Sequence, residues 1–494
     1  MKNNHQPMPL ILEDSVFVIF GVTGDLAKRK LLPALYELAG MDLLPENFTI
    51  LGLTRRETSI EKILDDVQEI LKDSGKRIDA TILDKLASMI ELVYMDIGVE
   101  ADYGKLKVAI QQADKKAGRI QNRLFYLAIP PQMFEGIVEK LQAHGLDSCG
   151  EGNKAESRLL IEKPFGHNTE TAVSLIKKME KVFDEKSIYR VDHYLAKETT
   201  QNILTFRFNN PMFKAVWDNR TIDHIMITAS EKIKIEGRAE FYESTGALRD
   251  LIQSHLLQLL ALVTMEEPAD KSAESIHEAK LRVLEAVKPI TSAQVDRATV
   301  RGQYDSYKEE VANRSSTTET FAAIKLEIDN PRWNGVPILL RTGKAMKEKI
   351  TEITLVFKEQ TVKHKDINAL TIRIQPDEGI VLSFLAKKPS LSNETEMVHM
   401  KFFYHQTFNV QQPDAYERVL VDAIRGDKTL FTTDAEVLVS WKIIENVLSA
   451  WAKNDNGLNI YPTGSWGPNE TDKLAESVGG RWLTAYMPHV HQNS

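Results

Sequence analysis

Two stretches of this sequence concentrate side chains that can do chemistry. The first, RVDHYLAK (190–197), sets Arg190, His193, Tyr194 and Lys197 around one carboxylate, Asp192. Arginine, histidine, tyrosine and lysine are donors that grip anions, so the acid among them needs a separate reason. A surface turn could bear the same letters, and the stretch gains meaning only from its surroundings. The second, GALRDLIQSHLLQLLALV (246–263), is apolar on nearly every side and reads as a buried helix, yet it contains Arg249, Asp250, Gln253, His255 and Gln258. Burying such groups unpaired costs roughly 2–7 kcal/mol each, so they meet protein partners or a polar ligand. For His255, a satisfied core histidine and a general base are both open; a base would have to be the neutral imidazole. On a regular helix Asp250 and His255 stand about 140° apart, at about 100° per residue. Either they flank a ligand lying along the helix or its first turn is irregular. Lys344 and Lys349, in RTGKAMKEK, follow a strand-like run, where lysines are ordinarily solvated.

Elements must hold these groups in place. SVFVIF (15–20) is a short β-branched and aromatic run of the kind that forms a strand buried on both faces. GVTGDLA (21–27) follows it, and then a helical pattern with Leu31, Leu35 and Leu38 on one side. Strand, glycine turn and helix form the setting of a phosphate-cradling loop: Gly21 and Gly24 allow the backbone close approach, and the helix N-terminus offers free N–H groups. Further strands are expected at FTILGL (48–53), LVYMDI (92–97), RLFYLAI (123–129) and SRLLIEK (157–163), separated by helical segments. That alternation implies parallel βαβ units and a doubly wound, Rossmann-type sheet. At the end of the second strand, where an NAD site usually has an acid, stand Arg55 and Arg56. Two guanidiniums there favour the 2′-phosphate of NADP, against the alternative of a solvated basic turn.

After about residue 200 the texture changes. Strand-like runs at 221–230, 320–328, 337–343, 350–357 and 371–376 come without regular intervening helices, and helical segments near 246–264, 275–288, 413–425 and 434–453 are expected to cover them. This reads as a larger α+β domain with a mostly antiparallel sheet. The expected division is 1–198 and 199–494. A chain of 494 residues suits two domains. Its 62 basic and 70 acidic residues argue against a bulk nucleic-acid binder but leave room for a local anion pocket. A single cysteine, Cys149, excludes an internal disulfide and suits a reducing cytosol. The amino-terminal residues lack a signal-peptide pattern, no apolar run approaches the ~20 residues of a membrane span, and the histidines lack metal-ligand spacing. A cytoplasmic protein without membrane or nucleic-acid partners and without a metal is expected.

Taken together, GVTGDLAKRKLLPALY, IEKPFG, RVDHYLAKE, the run from ALRD to HLLQ, RGQY, FAAIKLEIDNPRWNGVPILLRTGKA, PDAYERVLVDAIRGD and YPTGSWGP resemble the glucose-6-phosphate dehydrogenase family, in order from about residue 15 to about residue 470. The resemblance implies oxidation of glucose 6-phosphate at C1 to the 1,5-lactone, with hydride passing to NADP. It implies His255 as the base and Asp192 as the carboxylate that orients it and steadies its charge. His193, Tyr194 and Lys197 would hold the 6-phosphate, with Lys349 and Lys344 from the second domain, and Glu231 and Asp250 would hold sugar hydroxyls. Lys163 would touch both substrate and nicotinamide, beside Pro164, which matches a commonly cis proline. Gly21, Thr23, Gly24, Asp25 and Leu26 match the coenzyme loop, Arg55 the 2′-phosphate contact, and Asp96 and Ile97 the adenosine side. The second-domain sheet is expected to pair with its copy, giving a homodimer or homotetramer.

The chain departs from the family at Ala196, where glycine is usual, and at Ser254, where asparagine is common; an alanine forced to positive φ would cost about 1 kcal/mol. Two other readings remain at this stage. A dehydrogenase of unphosphorylated sugars would leave His193, Tyr194 and Lys197 without purpose. A non-catalytic NADP sensor would not need Asp192 and His255.

Overall fold

The computed structural model describes residues 12–150, 152–358, 367–408, 412–453 and 457–483. The amino-terminal residues 1–11, part of the stretch read for a signal peptide, lie outside them. The chain divides into two compact units: Met1–Gly166 with Glu170–Ala196 and Pro413–Asp434, and His167–Thr169 with Lys197–Gln412 and Ala435–Ser494. The change at Ala196/Lys197 falls two residues before the cut expected after 198.

In the first unit β1 (Ser15–Phe20), β2 (Phe48–Thr54), β3 (Ile90–Tyr94), β4 (Asn122–Leu127), β5 (Ser157–Ile161) and β6 (Ile188–Val191) form a parallel sheet in the order β6-β5-β4-β1-β2-β3. β1, β2, β4 and β5 are buried along their whole lengths, which is why each carries a short apolar run. The chain runs outward from β1 through β2 to β3, then crosses to β4 on β1's other side. That reversal opens a crevice beyond the carboxyl ends of β1 and β4. β3 ends earlier than the expected 92–97 because Asp96 bends the chain: its carboxylate accepts the Gly98 N–H at 2.8 Å and its own N–H donates to Asp102 at 2.8 Å.

The segment Pro413–Asp434 also belongs to this unit, a correction to the expectation that the helix near 413–425 covers the second sheet. Its strand Phe431–Thr432 pairs antiparallel with β6. Its helix, Ala415–Arg425, ends on Arg158, which is 4% exposed and whose Nη1 donates to the Ala423 and Ile424 carbonyls at 2.8 and 2.7 Å. A guanidinium at a helix carboxyl end satisfies carbonyls that the helix leaves without partners. Gly426 follows at φ 76°, and a Cβ there would stand 2.9 Å from Arg158 Nη2.

In the second unit β7 (Ile222–Ser230), β8 (Thr299–Tyr304), β9 (Phe321–Leu326), β10 (Ile338–Gly343), β11 (Ile350–Phe357), β12 (Ala369–Gln375), β13 (Gly379–Lys387) and β14 (Thr395–Phe403) lie in the order β14-β13-β12-β11-β7-β10-β9-β8, with Leu458–Tyr461 beyond β8. β7 with β10, and β8 with Leu458–Tyr461, are parallel; the other pairs are antiparallel. β8 and β14 were not foreseen because Arg, Gln, Glu, His and Lys interrupt their apolar pattern, and the run of β13 suits a helix as readily as a strand. The buried helix of 246–263 is π-helical over Leu248–Leu256 and α-helical over Leu257–Thr264. Among the described residues no helix is long and apolar enough to cross a membrane.

Replacing Arg158 by leucine leaves the carbonyls of Ala423 and Ile424 without their donor, a loss of roughly 2–3 kcal/mol. The urea midpoint of the Arg158→Leu variant should fall accordingly; an unchanged midpoint would show that this anchor does not hold the returning segment.

Candidate active site

The turn after β1 is built for close approach. Gly21 has φ 87°, and a Cβ on it would lie 3.1 Å from Ile129 Cγ2 and 3.2 Å from the Ala128 carbonyl, just past β4. The Gly24 N–H closes the turn on the Gly21 carbonyl at 2.8 Å. Thr23 and Leu26 are half-buried, and Asp25, exposed at the start of the helix, pairs with Arg29 at 2.6 Å. The helix passes through a π-helical turn, Ala27–Leu31, before Leu32–Gly40. A turn with glycines at 21 and 24 at the sheet's reversal, leading into a helix N-terminus, fits a dinucleotide diphosphate. At the end of β2 the Thr54 hydroxyl accepts the Arg56 N–H at 3.1 Å, and Arg55 and Arg56 are exposed. Asp96 and Ile97 follow β3; the Ile97 carbonyl accepts the Tyr103 hydroxyl at 3.0 Å.

Past β5 come Glu162, Lys163 and Pro164, with the Lys163–Pro164 peptide cis. The Glu162 carboxylate accepts two hydroxyls, Tyr126 at 2.5 Å and Tyr416 at 3.1 Å. Burial pushes the Glu162 carboxyl up, against the pull of those hydroxyls. Past β6, Asp192 is 4% exposed and its Oδ1 accepts the Tyr194 N–H at 2.9 Å, so one task of the acid is to shape the turn around it. The His193 ring lies 4.9 Å from the Tyr194 ring and, nearly parallel, 6.5 Å from that of Tyr416. Arg190, by contrast, is turned inward: it is 1% exposed and donates to both Glu185 oxygens at 2.7 Å. Ala196 is not among the residues with positive φ, so the departure from glycine carries no backbone strain. Lys197 belongs to the second unit, at the start of helix Glu198–Asn209.

In the second unit, strand pairing assembles a polar group. β7 and β10 are parallel with Ser230 beside Gly343, so the residues after them, Glu231 and Lys344, emerge together. Lys344 is 3% exposed; its ammonium pairs with the Glu231 carboxylate, reaches Asp250 at 4.0 Å and sits 5.4 Å above the Tyr242 ring. Tyr461 fixes the backbone there, its hydroxyl donating to the Lys344 carbonyl at 2.7 Å. Burial, then the Asp250 charge, holds the Tyr242 hydroxyl protonated well above the usual range. β11 pairs with β7 so that Ile350 lies opposite Ser230, bringing the exposed Lys349 to the same end of the sheet. Solvation, the ordinary fate of such lysines, thus holds for Lys349 and not for Lys344.

Asp250 and His255, the latter 1% exposed, share the π-helical stretch. Bonding from i to i+5 widens the turn and brings residues five apart towards the same side, where an α-helix would separate them. Of the two arrangements open from sequence, the irregular turn is the one found. Ser254 turns its hydroxyl back to the Asp250 carbonyl at 2.9 Å. Tyr126, Glu162, Tyr242 and Tyr416 had not been singled out. Glu162 and Tyr416 lie within quoted motifs, but their pairing spans 254 residues and no local spacing reveals it.

Two family models cover the chain: the glucose-6-phosphate dehydrogenase NAD-binding domain over residues 18–202 and the C-terminal domain of the same family over 204–483. The glucose-6-phosphate 1-dehydrogenase of Chlamydia muridarum is 39% identical over 94% of this chain and 96% of its own length, and that of Bacillus subtilis 38% over 98% and 99%. A solved glucose-6-phosphate dehydrogenase in complex with glucose 6-phosphate superposes with a TM-score of 0.87 at 33% identity, covering 96% of this chain and 99% of that one. The crystal structure of the Mycobacterium avium enzyme gives 0.83 at 32%, covering 97% and 100%.

Gly21→Ala places a methyl group against Ile129 and the Ala128 carbonyl at a positive φ. Dinucleotide affinity should drop at least about tenfold, or roughly 1.4 kcal/mol, in a fluorescence titration. Unchanged affinity would show that the turn does not cradle the diphosphate.

Proposed function

The chain belongs to the glucose-6-phosphate dehydrogenase family, and from that premise we propose that it oxidises glucose 6-phosphate at C1 to 6-phospho-D-glucono-1,5-lactone with NADP as acceptor. The observation that carries this reading is the buried Lys344 meeting the half-buried carboxylates of Glu231 and Asp250, with His255 one π-helical turn beyond Asp250. Half-buried carboxylates and an ammonium at one sheet end are the acceptors and donors that a sugar's hydroxyls require.

His255 takes the proton of the C1 hydroxyl, which only a neutral imidazole can do. Asp192 steadies the charge that then forms on the ring. When bound, the nicotinamide supplies the acceptor for the hydride leaving C1. Glu231 and Asp250 accept from the sugar hydroxyls. His193, Tyr194, Lys197 and Lys349 bind the phosphate, with Lys344 holding Glu231 and Asp250 in place. Charge-assisted binding remote from C1 orients the reacting carbon. Lys163, beside the cis Pro164, binds both substrate and nicotinamide. Gly21, Thr23, Gly24, Asp25 and Leu26 hold the diphosphate, Asp96 and Ile97 lie on the adenosine side, and the exposed Arg55 takes the 2′-phosphate. We further place the protein in the cytoplasm, in keeping with one buried thiol, Cys149, and read it as a homodimer or homotetramer. The edge strand β14, with Met400 63% exposed, offers a surface for such pairing.

The test follows reduced nicotinamide by absorbance with glucose 6-phosphate or glucose, each with NADP or NAD. Fast reduction of NADP with the phosphorylated sugar alone is expected; turnover of plain glucose at a matching rate would sink the phosphate assignments. Lys197→Ala should raise KM for glucose 6-phosphate at least about tenfold. An unaltered KM would remove Lys197 from the site. Arg55→Ala should lower the preference for NADP over NAD, and an unmoved ratio would return Arg55 to an ordinary solvated turn.

A further inference from the structure

The π-helical stretch that bears Asp250 and His255 begins on an acid that no step of the mechanism uses. Glu319, just ahead of β9, is 6% exposed. Its Oε1 accepts the Leu248 N–H at 3.0 Å, and its main-chain carbonyl accepts the Ala247 N–H at 2.9 Å. Gly246 precedes them with φ 67° and ψ 169°, and a Cβ at that position would lie 2.7 Å from the Glu319 carboxyl carbon. The carboxylate therefore fills the volume that a side chain at 246 would occupy, and the glycine and the acid require each other. Burial pushes the Glu319 carboxyl up, opposed by the Leu248 N–H and by the Arg249 and Arg301 charges. A solvent-avoiding acid is a poor choice for a plain structural contact, since a packed apolar group would avoid that desolvation.

Register explains the arrangement. Helices with i to i+5 bonding are rare and survive where the surroundings impose them. If the stretch relaxed to an α-helix from its first residue, His255 would stand about 140° round the helix from Asp250. The first free N–H groups are where that choice is made, and Glu319 takes that of Leu248 with its carboxylate and that of the preceding Ala247 with its main-chain carbonyl. We propose that Glu319, with Gly246, is a positioning residue that holds the start of this stretch in π register and so keeps His255 aligned with Asp250. The proposal rests on His255 being the base.

The test is a double-mutant cycle in the full-length chain, with glucose 6-phosphate and NADP. Glu319→Ala should lower kcat at least about tenfold and raise KM for glucose 6-phosphate, with KM for NADP unmoved, while Glu319→Gln, which keeps the acceptor for Leu248, should stay within about threefold of the parent. On a His255→Asn background, Glu319→Ala should add less than about a threefold further loss, because the group it positions is already gone. Losses that multiply, an unchanged kcat for Glu319→Ala, or a Gln variant as impaired as the Ala variant overturn the proposal. If Glu319→Ala does not yield folded protein, Gly246→Ala enters the same cycle with the same expectations. Failure of the underlying reading looks different: His255→Asn alone would then keep parental turnover, and the proposal would fall with the base rather than by itself.

Discussion

An almost fully buried ammonium, Lys344, constrains the sheet end of the second unit around it. A lone cation cannot be taken out of water at that depth, so acids must meet it, and the sheet is arranged to supply them. Parallel pairing of β7 and β10 delivers Glu231 beside it, and the helical stretch behind the sheet delivers Asp250. Breaking any one of these leaves charge uncompensated in the interior. The polar groups of this sheet end are thus fixed by the same electrostatic demand that fixes the fold around them.

The first unit solves a different problem, keeping a surface empty of side chains. Gly21 leaves backbone where a side chain would otherwise stand, at the one place where neighbouring strands lead the chain in opposite directions. Around it the polar groups are pre-arranged. Asp192 shapes its own turn, and Glu162 binds the hydroxyls of Tyr126 and Tyr416. Tyr416 also lies against the His193 ring, so one residue from late in the chain touches both the Glu162 segment and the 192–196 turn.

What could be read in the letters follows from what is local. Strands rich in β-branched and aromatic residues, such as β1 and β11, are legible from local composition, and their limits were placed to the residue. The glycine turn after β1 was equally plain, because strand, glycine and helix lie in succession. The face shared by Asp250 and His255 was obscured by the assumption of a single helical period. Nothing in LRDLIQSHL announces i to i+5 bonding, because the instruction comes from Glu319, 71 residues away. Burial of Lys344 was hidden for the same kind of reason, since its acid partners stand 113 and 94 positions earlier in the chain.

The return of Pro413–Asp434 to the first unit bears on how a ribosome makes this protein. When residues 1–198 have emerged, β6 is an open sheet edge and the Arg158 guanidinium has no helix end to receive it. Both wait until the chain has emerged past Thr432, by which point the strands β7 to β14 are already outside the exit tunnel. An unpaired edge beside a growing set of β-strands is an invitation to wrong partners. Nascent chains of this protein are therefore in greatest need of chaperone cover over that long interval, and a fragment cut after 198 would keep the exposed edge permanently.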